Sequence, residues 1–261
     1  MTQTLLHTEK LSIGYEKKTG DDVIASGIDL SLKEASLISI VGANGIGKST
    51  LLRTLTGIQK PLAGTISLAG HPLESYNPSE LAKNLSLVLT EKLPPSSLTV
   101  FELISLGRQP YTNWIGKLTD DDLSKIKLAM QMTETEHLVH KKHYEISDGQ
   151  LQKVMIARAL AQDTPLVVLD EPTTHLDLRH KVSLFRLLKK LASETGKCIL
   201  FSTHDIEMAI GLSDEMVLMF PGKTRQGKPA EFIAENAFDD LFPEDGIRFD
   251  KEKVKFVFNN L

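Results

Sequence analysis

Cysteine is almost absent from the sequence, since Cys198 is the only one among 261 residues. One cysteine cannot form an internal disulfide, which favours a reducing compartment. It lies in the apolar run Cys198-Ile199-Leu200-Phe201, where we expect a buried structural thiol and not a reactive one.

Long apolar runs are also missing. The longest uninterrupted one is Met216 to Phe220, far short of the roughly 20 residues that a membrane-spanning helix needs. The first residues, Met1 to Thr4, show no basic segment followed by an apolar stretch, so we read no secretory signal. We therefore expect a cytoplasmic chain that does not cross a bilayer by itself.

Neither sign of charge dominates the composition. The sequence has 30 basic and 34 acidic side chains, a formal net charge of −4. A surface that neutralises nucleic-acid phosphates carries clustered excess Lys and Arg, so we expect no nucleic-acid partner. With 41% hydrophobic and 25% charged residues, the balance is that of a globular protein able to bury a core.

Two hydrophobic patterns predict two kinds of sheet. Ile28, Leu30 and Leu32 alternate with polar residues, as do Ile66 and Leu68, which predicts an N-terminal antiparallel β lobe. Short branched apolar runs predict strands buried on both faces of a parallel sheet. These runs are 37–41, 166–169, 198–201 and 216–220.

The segment between these strand sets is mostly helical in pattern and includes a helix over 123–132. We expect one domain over 1–261, in which 1–93 and 162–261 form the β lobe and core and 94–161 form an inserted helical lobe. A small strand is expected over 254–258. The fold class is therefore α/β, with a parallel-sheet core.

A phosphate-binding loop follows the first parallel strand. The stretch Gly42-Ala43-Asn44-Gly45-Ile46-Gly47-Lys48-Ser49 matches the P-loop pattern, between a strand and an apolar-striped helix. Glycines let successive N–H groups point inward, and the helix adds its positive end, so a concave anion site forms. The predicted fold is a P-loop NTPase. The residues expected to hold the nucleotide here are Gly42, Asn44, Gly45, Gly47, Lys48, Ser49 and Thr50.

Individual roles follow from the chemistry of a nucleoside triphosphate. Lys48 is expected to pair with the β- and γ-phosphates, and Ser49 to ligate Mg²⁺, which prefers oxygen. The buried run 166–169 ends in Asp170 and Glu171. Alone, such a pair is more often two solvent-facing acids. Combined with the loop at Gly42, it predicts that Asp170 holds Mg²⁺ and Glu171 polarises the attacking water.

Further motifs in order make the chain resemble the ATP-binding cassette (ABC) family over nearly its whole length. Ile146-Ser147-Asp148-Gly149-Gln150 is similar to the family's Leu-Ser-Gly-Gly-Gln signature. The resemblance implies a head-to-tail homodimer that sandwiches two ATP molecules, with Ser147, Gly149 and Gln150 contacting the partner's γ-phosphate. Alone, Ser147 would be read as a helix N-cap.

The same resemblance assigns two more residues and a loop. His204, after the run 198–201, looks like the family's switch histidine, although a lone histidine is more often structural. Tyr15 resembles the aromatic residue that stacks on adenine, with strand-edge packing as the alternative. Leu176-Asp177 resembles the loop by which the family couples its two sites.

The sequence departs from the family pattern at a position where the family has a residue near Mg²⁺. Thr90-Glu91 stands where the family has a glutamine after the strand 85–89. We hypothesise that one of these residues replaces the amide near Mg²⁺ and links it to the helical lobe, and Glu91 is the candidate metal ligand.

The segment from Leu98 to Tyr111 resembles ATPases of iron-siderophore, haem and cobalamin importers, above all in Gly107-Arg108-Gln109-Pro110. This resemblance implies an integral-membrane permease that docks near 107–114, an extracytoplasmic binding protein acting indirectly, and a location on the inner face of the cell membrane. Tyr111 and Trp114 could instead pack the lobe. A soluble ABC ATPase of iron–sulfur cluster assembly shares every nucleotide motif and is the main alternative; a small-molecule P-loop kinase would not need the signature.

Asp148 is the second departure, since it puts a carboxylate where the signature has glycine. Repulsion from the partner's γ-phosphate would oppose ATP sandwiching. We therefore expect Asp148→Gly to bind ATP and to dimerise with ATP at least as well as the parent, measured by equilibrium binding and analytical ultracentrifugation. Weaker ATP-induced dimerisation would show that the carboxylate is needed.

Overall fold

The computed structural model describes residues 4–18, 20–89, 96–242 and 246–258. The strands are β1 (Thr4–Tyr15), β2 (Asp22–Ile28), β3 (Ser31–Lys33), β4 (Leu37–Val41), β5 (Ala63–Leu68), β6 (His71–Pro72), β7 (Leu85–Val88), β8 (Leu166–Leu169), β9 (Cys198–Ser202), β10 (Glu215–Phe220), β11 (Lys223–Gly227), β12 (Ile247–Asp250) and β13 (Lys255–Phe258). The α-helices are α1 (Lys48–Leu55), α2 (Pro78–Asn84), α3 (Val100–Ser105), α4 (Asp120–Thr133), α5 (Asp148–Ala161), α6 (Leu178–Thr195), α7 (Ile206–Leu212) and α8 (Pro229–Ala234).

A six-stranded sheet forms the core, in the order β11-β10-β4-β9-β8-β7. The pairs from β10 to β7 are parallel, and β11 adds an antiparallel edge. Every residue of β4, β8 and β9 is buried, which explains why these strands lack alternation. The predicted parallel-sheet core is confirmed. The carboxyl ends of β4, β9 and β8 lie side by side at one edge.

The predicted antiparallel lobe is also present, as a sheet in the order β2-β1-β5-β6 with β3 paired to β1. The alternation at Ile28, Leu30 and Leu32 spans the junction of two strands, because β2 ends at Ile28 and β3 begins at Ser31. The buried Thr8 hydroxyl bridges this break: it donates to the carbonyl of Ile28 and accepts from the N–H of Leu30, both at 2.9 Å.

Helices α3, α4 and α5 occupy the stretch predicted to be helical. The helix expected over 123–132 is α4, which begins earlier because Thr119 and Asp122 form a capping box at its start. Buried residues of these helices pack in one cluster with residues of α6 and of the parallel sheet. The proposed lobe boundary near 93 lies outside the described residues, and α5 ends at Ala161.

Two smaller features complete the fold. The terminal strand predicted over 254–258 is β13, which pairs antiparallel with β12. Cys198 lies buried in β9, and burial raises the pKa of its thiol to about 12. Across the parts of the chain that the structure describes, no helix combines the length and apolar character required to cross a membrane.

The first two residues of the Gly-Arg-x-Pro element, Gly107 and Arg108, are buried. Arg108 is only 3% exposed and donates from Nε to Asp122 Oδ1 at 2.8 Å and from a guanidinium NH₂ group to the carbonyl of Ala161 at 2.8 Å. A methyl group at Gly107 would lie 2.2 Å from the carbonyl oxygen of Arg158 in α5. The expectation that residues 107–114 as a whole form a contact surface is therefore wrong for Gly107 and Arg108, since their packing within the helices buries them.

Gly107→Ala is expected to destabilise the protein, because the added methyl group must push the turn that follows α3 away from α5. Overpacking of this kind typically costs about 1–3 kcal/mol in free energy of unfolding. Gly211→Ala is the matched control, since a methyl group there has no atom within 4 Å and Gly211 lies in α7. Urea denaturation measures both. Equal midpoints for the two variants would contradict the packing argument.

Candidate active site

The loop between β4 and α1 is shaped by glycine. Gly47 adopts a φ of 107°, and a methyl group there would lie 2.4 Å from Cγ2 of Ile24. A methyl group at Gly42 would lie 2.7 Å from the carbonyl oxygen of Met219. A side chain at either position would collide with these neighbours. Glycine avoids the collision, so the backbone can curl tightly enough to direct N–H groups at an anion.

Lys48 lies at the start of α1 and folds over this loop. Its ammonium donates to the carbonyls of Gly42 and Ala43 at 3.1 and 3.2 Å, and the residue is 5% exposed. Burial lowers the pKa of Lys48, while the nearby carboxylates of Glu171 and Asp170 act in the opposite direction. One cation and two carboxylates therefore converge at the carboxyl edge of the sheet.

Asp170 connects three elements at this edge. Its Oδ1 accepts hydrogen bonds from the hydroxyl of Ser49 at 3.1 Å and from that of Ser202 at 2.7 Å. The Ser202 hydroxyl in turn accepts from the N–H of Glu171 at 2.8 Å. Ser202 was not predicted; the only signal was a hydroxyl that ends an otherwise apolar strand.

This cluster fits a magnesium ion. Ser49 and Asp170 present only oxygen donors, which Mg²⁺ prefers, and they are already within hydrogen-bond distance of each other. Within the described ranges, no three or more His, Cys, Asp or Glu side chains are grouped to hold a metal. Mg²⁺ needs only a few protein ligands where substrate phosphates and water fill its remaining coordination positions.

The Glu171 and Asp170 side chains have different partners, although the two are neighbours in sequence. Glu171 has a φ of 46° in the left-handed region, a strained conformation that tends to occur at functional sites. Its Oε1 lies 3.3 Å from Nδ1 of His204, and its Oε2 accepts from the hydroxyl of Thr174 at 3.2 Å. The structure therefore brings Glu171 and His204 together, and their catalytic roles stay predictions.

A second carboxylate braces the loops that carry Glu171 and His204. Asp205 accepts from the hydroxyl of Thr173 and from the ammonium of Lys181, both at 2.8 Å. The pair with Lys181 is largely buried, with side-chain exposures of 23% and 18%. Sequence reasoning missed this brace, because the three residues are 173, 181 and 205 and nothing local joins them.

Tyr15 and Thr50 lie together at the other side of the loop. Tyr15 ends β1 and is 47% exposed, and its hydroxyl is 3.3 Å from that of Thr50 in α1. An exposed aromatic ring beside a phosphate loop can stack on a base. Stacking on adenine stays a prediction.

Ser147, Gly149 and Gln150 lie apart, at the start of α5. Ser147 and Gln150 form a capping box, in which the Ser147 hydroxyl accepts from the Gln150 N–H at 3.3 Å and the Gln150 side chain accepts from the Ser147 N–H at 3.0 Å. Ser147 is thus an N-cap. Its contact with a partner's nucleotide stays a prediction.

The metal-linked role hypothesised for Thr90 or Glu91 also stays a prediction, because both residues lie outside the described residues.

Comparison with known proteins identifies the class. The family model for ABC transporters matches residues 25–174. The chain is 40% identical to an uncharacterised ABC transporter ATP-binding protein of Methanocaldococcus jannaschii, over 91% of this chain and 81% of that protein. It is 36% identical to the iron(3+)-hydroxamate import ATP-binding protein FhuC of Bacillus subtilis, over 92% and 88%. It is 33% identical to the ferric enterobactin transport ATP-binding protein FepC of Escherichia coli, over 93% and 89%.

Solved structures agree with the sequence relatives. A dimeric ATP-binding cassette in a post-hydrolysis state, bound to ADP and Pi, superposes with a TM-score of 0.73 at 28% identity, covering 86% of this chain and 99% of that one. The chain belongs to the ABC transporter family. It is an ATP-binding subunit whose characteristic activity is ATP hydrolysis, as the sequence resemblance implied.

Glu171→Gln is expected to keep ATP binding and to lose turnover by at least about 100-fold, because a neutral amide cannot take a proton from water. Binding of a fluorescent ATP analogue and phosphate release measure the two properties. Glu74→Gln, at an exposed position, is the control and should leave both unchanged. Robust hydrolysis by Glu171→Gln would falsify the assignment of Glu171 as the base.

Proposed function

We propose that the chain hydrolyses ATP to power import of an iron–siderophore chelate through a membrane permease. The observation that carries this proposal is its likeness, over nearly the whole chain, to ATP-binding subunits named for import of iron(3+)-hydroxamate and transport of ferric enterobactin. The segment 98–111 extends the range of cargo to haem and cobalamin, which are chelates of similar size.

The phosphates of ATP lie on the loop 42–49 in this proposal. Lys48 exchanges the carbonyls of Gly42 and Ala43 for the β- and γ-phosphates, and Tyr15 stacks on the base. Ser49 and Asp170 would hold Mg²⁺, which would supply positive charge to offset that of the phosphates. Support comes from the 3.1 Å hydrogen bond between Ser49 and Asp170 and from the exposure of the Tyr15 ring.

Glu171 accepts a proton from the water that attacks the γ-phosphate. Its two oxygens are oriented by His204 and Thr174, whereas Asp170 is held by Ser49 and Ser202. His204 Nδ1 faces Glu171, so Nε2 is the ring nitrogen available to a γ-phosphate oxygen. The two residues together position the water and the phosphate for in-line attack.

The active assembly is a head-to-tail homodimer with two ATP molecules at its interface. The first turn of a helix leaves backbone N–H groups without partners inside the helix and carries the positive end of the helix dipole. Ser147, Gly149 and Gln150 form that turn of α5 and would contact the γ-phosphate held by the partner. The dimeric cassette that this chain resembles supports the arrangement.

The permease contacts exposed apolar side chains of the helical segment. Trp114 is 93% exposed, Ile115 69% and Leu106 46%. Exposed large apolar groups that lie near each other in sequence mark an interaction surface. Tyr111 is partly taken up by packing, since its ring lies 4.0 Å from the guanidinium carbon of Arg108. The chain is then cytoplasmic and peripheral on the inner face of the cell membrane, and meets the extracytoplasmic binding protein only through the permease.

Affinity purification from detergent-solubilised membranes tests this function. We expect a multi-span permease to copurify, and expect Trp114→Ala to reduce that recovery while basal ATP hydrolysis stays unchanged. Ile58→Ala removes a side chain of 57% exposure outside the helical segment and is the control. Recovery of a soluble iron–sulfur assembly partner in place of a permease would overturn the proposal.

A further inference from the structure

His180 makes an unusual contact with the signature segment. It lies in the first turn of α6, and its ring rests directly on Gly149 in the first turn of α5. A methyl group at Gly149 would lie 3.0 Å from Cδ2, 3.4 Å from Cγ and 3.7 Å from Nε2 of this ring. The absence of a side chain at Gly149 therefore lets an imidazole approach the start of α5, and the edge that approaches carries Nε2.

Asp177 fixes the orientation of this imidazole. One oxygen of Asp177, the N-cap of α6, accepts from both the backbone N–H and the Nδ1 of His180 at 2.8 Å. A carboxylate only accepts hydrogen bonds, so Nδ1 carries a proton. The same hydrogen bonds, that from the backbone N–H first, lower the pKa of Asp177 and keep it ionised. Nε2 is then the nitrogen left to face a ligand.

The His180 side chain remains accessible. It is 56% exposed although its ring covers Gly149, and Ser147 and Asp148 beside it are exposed too. An anion at the start of α5 would therefore meet two kinds of group at once: the backbone N–H groups of the first turn and the Nε2 edge of His180. As an imidazolium, the ring would donate to that anion and offset the negative charge of Asp148.

We propose that His180 is a positioning residue that donates from Nε2 to the γ-phosphate of the partner's ATP, with Asp177 holding the ring in place. This inference rests on the proposed function, because it requires that the γ-phosphate lies at Ser147 and Gly149 in a sandwich dimer. The signature motif alone would contact the γ-phosphate through α5. His180 adds a side-chain donor from α6 to that contact.

ATP-induced dimerisation in the Glu171→Gln background tests the proposal, because slow hydrolysis keeps the nucleotide intact. Analytical ultracentrifugation with ATP and with ADP gives the dissociation constant of the dimer. Four single replacements of His180 separate the functions of the ring. His180→Phe keeps the shape of the ring, and His180→Ala removes the ring. His180→Asn keeps a donor near the position of Nδ1 only, and His180→Gln keeps one near the position of Nε2 only.

We expect His180→Phe, His180→Asn and His180→Ala to raise the dissociation constant of the ATP-dependent dimer about 10-fold or more. This is the usual effect of losing a hydrogen bond to a charged group. Gln should retain most of the dimerisation. ATP affinity of the monomer should not change in any variant, since the loop 42–49 is untouched. His137→Ala, at an exposed histidine elsewhere in the helical segment, is the matched control.

Three outcomes would contradict the proposal. If Phe dimerises like the parent, the ring only fills space against Gly149. If His180→Asn retains dimerisation as well as His180→Gln does, a donor near Nδ1 is sufficient and Nε2 is not needed. If all four variants equal the parent, His180 has no part in the interface. Failure of the Glu171→Gln parent itself to dimerise with ATP would be a different result, which overturns the sandwich dimer of the proposed function.

Discussion

The site depends on one buried carboxylate, that of Asp170. Asp170 follows β8 directly, and its Oδ1 accepts from Ser49 in α1 and from Ser202 at the end of β9. A charge with 6% exposure is costly unless it is hydrogen-bonded, so these hydroxyls must be in place for the fold to tolerate it. The parallel register of β4, β9 and β8 puts them there. The phosphate loop, the proposed metal ligand Asp170 and the proposed base Glu171 are thus aligned by the sheet itself.

Local patterns predicted the parts of this site that are contiguous in sequence. The loop at 42–49 and the pair Asp170-Glu171 each follow a buried strand, and each can be recognised from a contiguous run of residue types. The parallel strands were predictable for the same reason, because burial on both faces leaves a continuous apolar run such as Leu166 to Leu169.

What the sequence could not predict depends on which strands and helices become neighbours in space. Ser202 matters because β9 lies beside β8, and Asp205 matters because α6 and α7 bring Lys181 to it. Arg108 was expected on a contact surface, because the family resemblance implies that a permease docks near 107–114. It is buried because Asp122 and the carbonyl of Ala161, 14 and 53 residues away, receive its hydrogen bonds.

The helical segment is joined to the core by charge as well as by packing. Asp163, just after α5, accepts from Lys125 of α4 at 2.7 Å and from Lys197, which precedes β9, at 2.9 Å. Burial pushes the pKa of Asp163 up, but the hydrogen bonds and charges of the two lysines outweigh it and lower the pKa to about 2. The carboxylate of Asp163 therefore links the helical segment to the core. Salt screens its interaction with Lys197 only weakly, because Lys197 is mostly buried.

The environment of Cys198 has a practical consequence. Thiol-reactive reagents attack the thiolate, and a buried sulfur with a pKa near 12 presents almost none at neutral pH. The sequence contains no other cysteine. A spectroscopic probe attached through a cysteine introduced on the surface would therefore report from a single known position, and the natural residue in β9 could be left unchanged.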